Sequence, residues 1–96
     1  MHDYTGRIVR ATAGRDTGGL FCVVGVDQER ARLLLADGKR RKVSRPKAKK
    51  PGHVKLLTDR PHGPDHPAIQ KLKQGEALTD KELRRALAAF RDQLEV

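Results

Sequence analysis

Residues 6–26, GRIVRATAGRDTGGLFCVVGV, contain two β-branched runs separated by a glycine-rich segment. The first run spans 6–13 and the second spans 20–26. Branched and aromatic side chains favour strands, and glycine favours the tight turn between them. This stretch therefore predicts a β-hairpin.

Two more strands are predicted directly after the hairpin. DQER at 27–30 predicts a turn, and ARLLLA at 31–36 predicts a third strand. Asp37 and Gly38 form a pair that favours the positive φ of a type I′ turn. A fourth strand, KRRKVS, is therefore expected at 39–44.

Prolines interrupt the chain after this predicted strand. Pro46 and Pro51 indicate a solvated connector over 45–52, and HVKLL at 53–57 predicts a short fifth strand. Five short strands favour a small closed barrel, because closure removes exposed sheet edges. The predicted fold is thus mostly β, with a barrel domain over 1–57.

The C-terminal part is predicted to be helical. Residues 58–67 are rich in Pro, Gly and Asp and indicate a linker, and 68–73 predict a short helix. Thr79 and Glu82 stand at the spacing of a capping box, which predicts the start of a longer helix. The helical extension is therefore expected to occupy 68–96.

The longer helix has an apolar stripe at helical spacing. Such a stripe packs either on its own domain or against a partner, here a ribosomal or transcription protein. Its members are Leu83, Leu87, Phe90 and Leu94.

Positive charge is concentrated in the predicted barrel. The chain has 21 Lys and Arg against 12 Asp and Glu, a net charge of +9, and a pI near 10.3. Residues 5–60 hold 15 basic and 5 acidic residues, whereas 61–96 hold six of each. In KRRKVSRPKAKK at 39–50, eight of twelve residues are basic and none is acidic. A solvated surface normally mixes both signs, so this run favours a polyanionic partner.

The aromatic content narrows the kind of polyanion contact. Tyr4, Phe21 and Phe90 are the only aromatic residues, and both phenylalanines fall at predicted core positions. Proteins that grip single-stranded RNA through its bases use exposed aromatic rings. The sequence therefore predicts contact with phosphates and with the shape of helical RNA.

The glycine-rich turn GRDTGG at 14–19 is a second candidate for phosphate contact. It is either an ordinary hairpin turn or a loop whose backbone N–H groups, beside Arg15, meet phosphates. It lacks the Gly-Lys-Ser/Thr ending of a nucleotide-hydrolysing loop.

Other chemistry has little support in the sequence. The single cysteine, Cys22, excludes an intramolecular disulfide and fits a reducing cytosol, and no leader or membrane-spanning run is recognised. No cofactor or catalytic site is predicted, because no Ser, Cys or carboxylate lies in a recognisable nucleophile or acid–base setting. No metal site is predicted, because the candidate ligands have neither the right spacing nor a helical face. Those candidates are Cys22, His2, His53, His62 and His66.

Several of these segments, taken in order, resemble a KOW motif. GRIV at 6–9, the AGRDTG loop at 13–18, the Asp-Gly turn at 37–38 and the basic segment up to His53 are similar to small bacterial KOW-domain RNA-binding proteins. These are relatives of KOW-bearing large-subunit ribosomal proteins of archaea and eukaryotes. Many KOW motifs have another basic residue where this chain has Leu20-Phe21-Cys22.

The resemblance covers residues 6–57 and implies an SH3-like barrel and RNA binding, commonly in ribosomes or the transcription–translation apparatus. The expected cytoplasmic location follows instead from the single cysteine and the lack of a recognised leader. RNA contact is expected from the glycine loop, the basic run and the histidine that follows. The expected residues are Gly14, Arg15, Asp16, Thr17, Gly18, Lys39, Arg40, Arg41, Lys42, Arg45, Lys47, Lys49, Lys50 and His53.

The resulting hypothesis is a non-enzymatic protein that grips structured RNA, ribosomal RNA in particular, through backbone phosphates. The alternative is a protein-interaction module of the transcription and translation machinery that uses the barrel and the apolar helix. A small enzyme acting on RNA has only the polar loop in its favour.

Overall fold

The computed structural model describes residues 4–58 and 67–94 and shows an antiparallel sheet followed by two helices. The predicted linker at 58–67 falls outside these residues except at its two ends. The strands are β1 (Ile8–Ala11), β2 (Leu20–Asp27), β3 (Arg32–Ala36), β4 (Lys47–Lys49) and β5 (Val54–Leu56), and the helices are α1 (Pro67–Gln74) and α2 (Asp80–Leu94). A short 3-10 helix, Pro51–His53, precedes β5. Within the described residues, neither helix is long and apolar enough to cross a membrane.

The predicted hairpin and the first three strands are confirmed. β1 pairs with β2, with Val9 opposite Phe21, and β2 pairs with β3, with Val23 opposite Leu35. The register between β2 and β3 shifts between Val23 and Gly25, so Val24 is an extra residue that forms a β-bulge in β2.

The predicted fourth strand at 39–44 is wrong. These residues form a loop, and the strand that pairs with β3 is β4, inside the segment predicted as an irregular connector. Asp37 does not adopt the positive φ that a type I′ turn requires, since Ala31 is the only non-glycine residue with positive φ in the described chain. Instead, its carboxylate Oδ1 accepts hydrogen bonds from the N–H groups of Lys39 (2.9 Å) and Arg41 (2.8 Å). An Asx-type turn therefore replaces the hairpin turn.

The sheet is not closed by hydrogen bonds between the described strands. Its strand order is β4-β3-β2-β1-β5, so β4 and β5 are its two edges. One face buries six residues in a cluster that contains no residue of the described helices, which indicates that the sheet curls around them. These residues are Val9, Ala11, Phe21, Val23, Leu33 and Leu35. The expected β-rich domain with C-terminal helices is thus present, as an open five-stranded sheet.

The helices cover the other face of the sheet. Ile8, Cys22 and Ala36 point away from the first cluster and pack against the helices. The helix residues buried there are Ile69, Leu83, Leu87 and Phe90. The predicted stripe is therefore part of the protein's own core. Three of its four members are buried, and the side chain of Leu94 is outside those described.

The predicted capping box at the start of α2 is confirmed. The Glu82 N–H donates to Thr79 Oγ1 (3.1 Å), and the Thr79 N–H donates to Glu82 Oε1 (3.1 Å). Glu82 Oε2 also lies 2.7 Å from Lys71 Nζ, which connects the two helices. These bonds, that of Lys71 foremost, lower the pKa of Glu82 to about 2.

Acid should remove the contribution of Glu82 to stability. Because its pKa is lowered in the folded state, the stabilisation is complete above the ordinary glutamate pKa of about 4.3 and is lost as pH falls through about 2. We expect thermal unfolding temperatures of wild type and E82Q to converge between these pH values. The exposed Glu76 in the loop between the helices provides the control, E76Q. A difference between wild type and E82Q that is independent of pH would contradict the prediction.

Candidate nucleic-acid interface

The two segments expected to contact RNA are brought together by an ion pair. Arg41 Nη2 lies 2.9 Å from Asp16 Oδ2, and Arg41 Nε donates to the same oxygen at 3.3 Å. The Asp16 side chain is only 8% exposed, whereas that of Arg41 is 32% exposed. Asp16 and Arg41 thus hold the glycine loop at 14–19 against the loop at 37–45, which we call the basic loop.

The glycine loop satisfies much of its own hydrogen bonding. The N–H groups of Thr17, Gly18 and Gly19 donate to the carbonyl oxygens of Gly14, Ala11 and Asp16, respectively. These three N–H groups are therefore already used within the protein. The exposed side chain of Arg15 is a further group of the loop that suits a phosphate.

Two more side-chain bonds stabilise the glycine loop. The Thr17 hydroxyl donates to the Gly14 carbonyl oxygen (2.6 Å), and Arg10 Nη1 donates to the Gly18 carbonyl oxygen (2.8 Å). No pattern in the sequence marks Arg10 as part of this loop. Arg10 places a guanidinium beside the loop from the strand that leads into it.

Lys49 differs from the other expected RNA-contacting lysines because it is buried, with 7% exposure. It lies on β4 opposite Leu33. Its Nζ lies beside Gly14: if residue 14 had a side chain, the Cβ would be 3.0 Å from Lys49 Nζ. Lys49 therefore contacts the glycine loop at the edge of the curled sheet.

The other expected cations are accessible. The only carboxylate within the basic loop is Asp37, which already accepts two backbone N–H groups. The exposed residues along the basic loop, β4 and the 3-10 helix are Lys39, Arg40, Lys42, Arg45, Lys47, Lys50 and His53.

Helix α2 holds the basic loop in place. Arg84 Nη1 donates to the Gly38 carbonyl oxygen (2.6 Å), and Asp80 Oδ1 accepts from the Val43 N–H (2.8 Å). Gly38 is buried with φ of +77°, and a Cβ there would overlap the Asp80 carbonyl oxygen. The C-terminal helix is therefore part of the structure that positions the cations.

A cleft of about 650 Å³ lies between the glycine loop, the basic loop and α2. Two of its cations come from the basic loop and two, Arg84 and Arg91, come from the helix. Sequence reasoning missed these two arginines because the charge of residues 61–96 is balanced. Their seven-residue spacing, which puts both on one side of a helix, was the available signal.

The described residues contain neither a reactive cysteine nor a cluster that could bind a metal ion. Burial raises the pKa of the Cys22 thiol to about 12, so it stays protonated at neutral pH and is a poor nucleophile or metal ligand. Residues 4–58 and 67–94 contain no group of three His, Cys, Asp or Glu side chains that could hold a metal. His2, His62 and His66 lie outside the described residues.

The chain matches no protein-family model, and no curated protein is significantly similar to it.

Proposed function

We propose that this chain is a non-enzymatic RNA-binding protein that grips structured RNA, ribosomal RNA in particular, through backbone phosphates. The main support is the row of exposed cations along the basic loop and β4, combined with the internal use of the nearby carboxylates. Asp16 is paired with Arg41, and Asp37 accepts two backbone N–H groups. The surface left to a partner is therefore strongly positive, which suits a polyanion.

The positions of the aromatic residues support contact with phosphates. Phe21 and Phe90 are buried, with 2% and 6% exposure. The Tyr4 ring is near Arg7, whose guanidinium carbon is 5.0 Å from the ring centre. Without an accessible phenylalanine in the described residues, base stacking has little to contribute, and phosphate and shape recognition is favoured.

We further propose that the sheet is an SH3-like barrel of the KOW type. The strand order supports this, because four strands follow one another and β5 returns to pair with β1. The curled face buried without a helix is a second argument. The proposal of a ribosomal partner rests on the resemblance of residues 6–57 to KOW proteins.

The alternative, a protein-interaction module that docks partners through α2, has less support. The stripe residues that would form its docking face are buried against the sheet, as shown by Leu83, Leu87 and Phe90. Partner binding through these residues would require α2 to leave the core.

The salt dependence of RNA affinity tests the proposal. If about six phosphates are neutralised, the logarithm of the association constant should fall against that of salt concentration with a slope near −5 for a duplex. The measurement is a fluorescence-anisotropy titration of an RNA hairpin between about 50 and 200 mM salt. Over this range, affinities that depend on several phosphate contacts fall by orders of magnitude.

A nearly flat slope, or no binding at low salt, would overturn the phosphate-binding proposal. Sedimentation of cell lysate tests the ribosomal part separately. The protein should travel with ribosomal subunits at low salt and leave them at high salt. Recovery only among free proteins at low salt would contradict the ribosomal assignment.

A further inference from the structure

The cleft between the two loops and α2 has a different shape from the rest of the positive surface. Lys39 and Arg40 line it from the basic loop, and Arg84 and Arg91 line it from the helix. All four are exposed residues. Four cations from two separate elements thus converge on one concave space.

The carboxylates of the cleft do not neutralise these four cations. Asp16 and Asp37 both line it. Asp16 is paired with Arg41, and Asp37 accepts the N–H groups of Lys39 and Arg41. With Asp16 offset by Arg41, the four cations face one remaining carboxylate, that of Asp37, so the cleft keeps a net positive charge that can attract an anion.

Arg84 is fixed in position by its bond to the basic loop. One N–H donates to the Gly38 carbonyl oxygen at 2.6 Å. A guanidinium has five N–H donors, so others remain for a ligand. A fixed guanidinium loses less conformational entropy when it binds a phosphate.

The lining of the cleft also includes apolar side chains. Leu20, Leu87 and Ala88 lie among the charged residues, and Ala88 is exposed. At about 650 Å³, the space is within the range of sites that enclose a small molecule. A whole RNA double helix is far larger than this space, whereas one unpaired nucleotide is of a suitable size, with its phosphate near the arginines and the C–H groups of its ribose against the aliphatic side chains.

We propose that this cleft binds the sugar-phosphate backbone of an unpaired nucleotide beside an RNA helix. The inference rests on the proposed RNA-binding function and deepens it. The exposed cations outside the cleft, Lys42, Arg45 and Lys47, contact the paired region, and the cleft takes the adjoining single strand. The ligand is thus a junction between helical and single-stranded RNA.

Two RNAs test the proposal: a blunt hairpin, and the same hairpin with a three-nucleotide single-stranded overhang. The wild type should bind the overhang form about tenfold more tightly, which corresponds to about 1.4 kcal/mol. Each overhang phosphate that is neutralised should also steepen the salt slope by about 0.7. Affinities are measured by anisotropy with both RNAs at equal salt.

Variants on α2 separate charge from shape. A88E places a carboxylate in the cleft and should abolish the preference for the overhang, whereas the similarly sized but uncharged A88Q should retain most of it. R91A should reduce the preference. R85A removes an exposed arginine that lines a different surface of the same helix, with Pro67 and Ala68, and should leave the preference unchanged. Thermal unfolding checks that each variant is folded.

The outcomes distinguish this inference from the proposed function. If neither RNA binds, the RNA-binding function itself is wrong. If both RNAs bind equally well to the wild type, the function stands and the cleft assignment is overturned. Equal losses for A88E and A88Q, or for R91A and R85A, would also overturn it, because the preference would not depend on charge in the cleft.

Discussion

G38A is expected to lower the free energy of unfolding by about 2–4 kcal/mol. Gly38 has a φ of +77°, which is strained for a residue with a side chain. A Cβ would also overlap the Asp80 carbonyl oxygen and come 3.0 Å from Arg84 Cγ. For a chain of this length, the unfolding temperature should fall by roughly 10 °C or more. Calorimetry or chemical denaturation measures the effect.

Two other glycines separate backbone strain from overlap. Gly18 has a φ of +89°, but a Cβ there would have nothing within 4 Å, so G18A should show the backbone cost alone. Gly52 has neither feature, and G52A should be neutral or slightly stabilising. If G38A is no more destabilising than G18A, the overlap of a Cβ at residue 38 with α2 has no measurable cost, and the prediction is wrong.

The triple variant K42Q/R45Q/K47Q is expected to weaken binding to an RNA hairpin by roughly two orders of magnitude at about 0.1 M salt. All three residues are exposed, and none of them lines the cleft. Each lost phosphate contact should also make the salt slope shallower by about 0.9. The effect should be similar for hairpins of unrelated sequence, since phosphates are common to all of them.

A matched triple variant controls for net charge. Arg30, Lys81 and Arg85 are exposed and lie outside the predicted interface. R30Q/K81Q/R85Q reduces the net charge from +9 to +6, as the first triple does. It should weaken binding much less. Equal losses in the two triples would show that affinity depends on total charge and not on the proposed surface.

The elements that sequence reasoning placed correctly are those specified by short-range signals. The β1–β2 hairpin has branched runs on both sides of a glycine turn, and α2 begins where Thr79 and Glu82 cap each other. Such signals depend only on neighbouring residues, so they can be recognised without knowledge of the rest of the fold.

The fourth strand was misplaced because its position depends on distant contacts. Asp37 and Gly38 have the local sequence of a hairpin turn, but the Asp37 carboxylate accepts two N–H groups of the basic loop. Helix α2, more than 40 residues away in sequence, packs against Gly38. With the loop held in this way, the next segment able to pair with β3 is Lys47–Lys49.

The candidate interface also combines features that the local sequence predicts with features that depend on contacts between distant residues. Its charge and composition were evident from the basic run, but the individual roles were not. Asp16 and Arg41 pair with each other, and Lys49 is buried beside the glycine loop. Arg84 joins the surface from the C-terminal segment, 61–96, whose charges balance. No local pattern predicts which charged groups will meet, because ion pairs form between residues that folding brings together.

The strongly basic character of the chain, its β-rich N-terminal part and its capped C-terminal helix can all be predicted from the amino-acid sequence alone. Composition and local hydrogen bonding are sufficient for that. Only the tertiary structure decided that α2 completes the core and positions the basic loop, and that helix and loop enclose a positive cleft. The physical reason is that burial and ion pairing depend on distances between residues far apart in the chain, which exist only after folding.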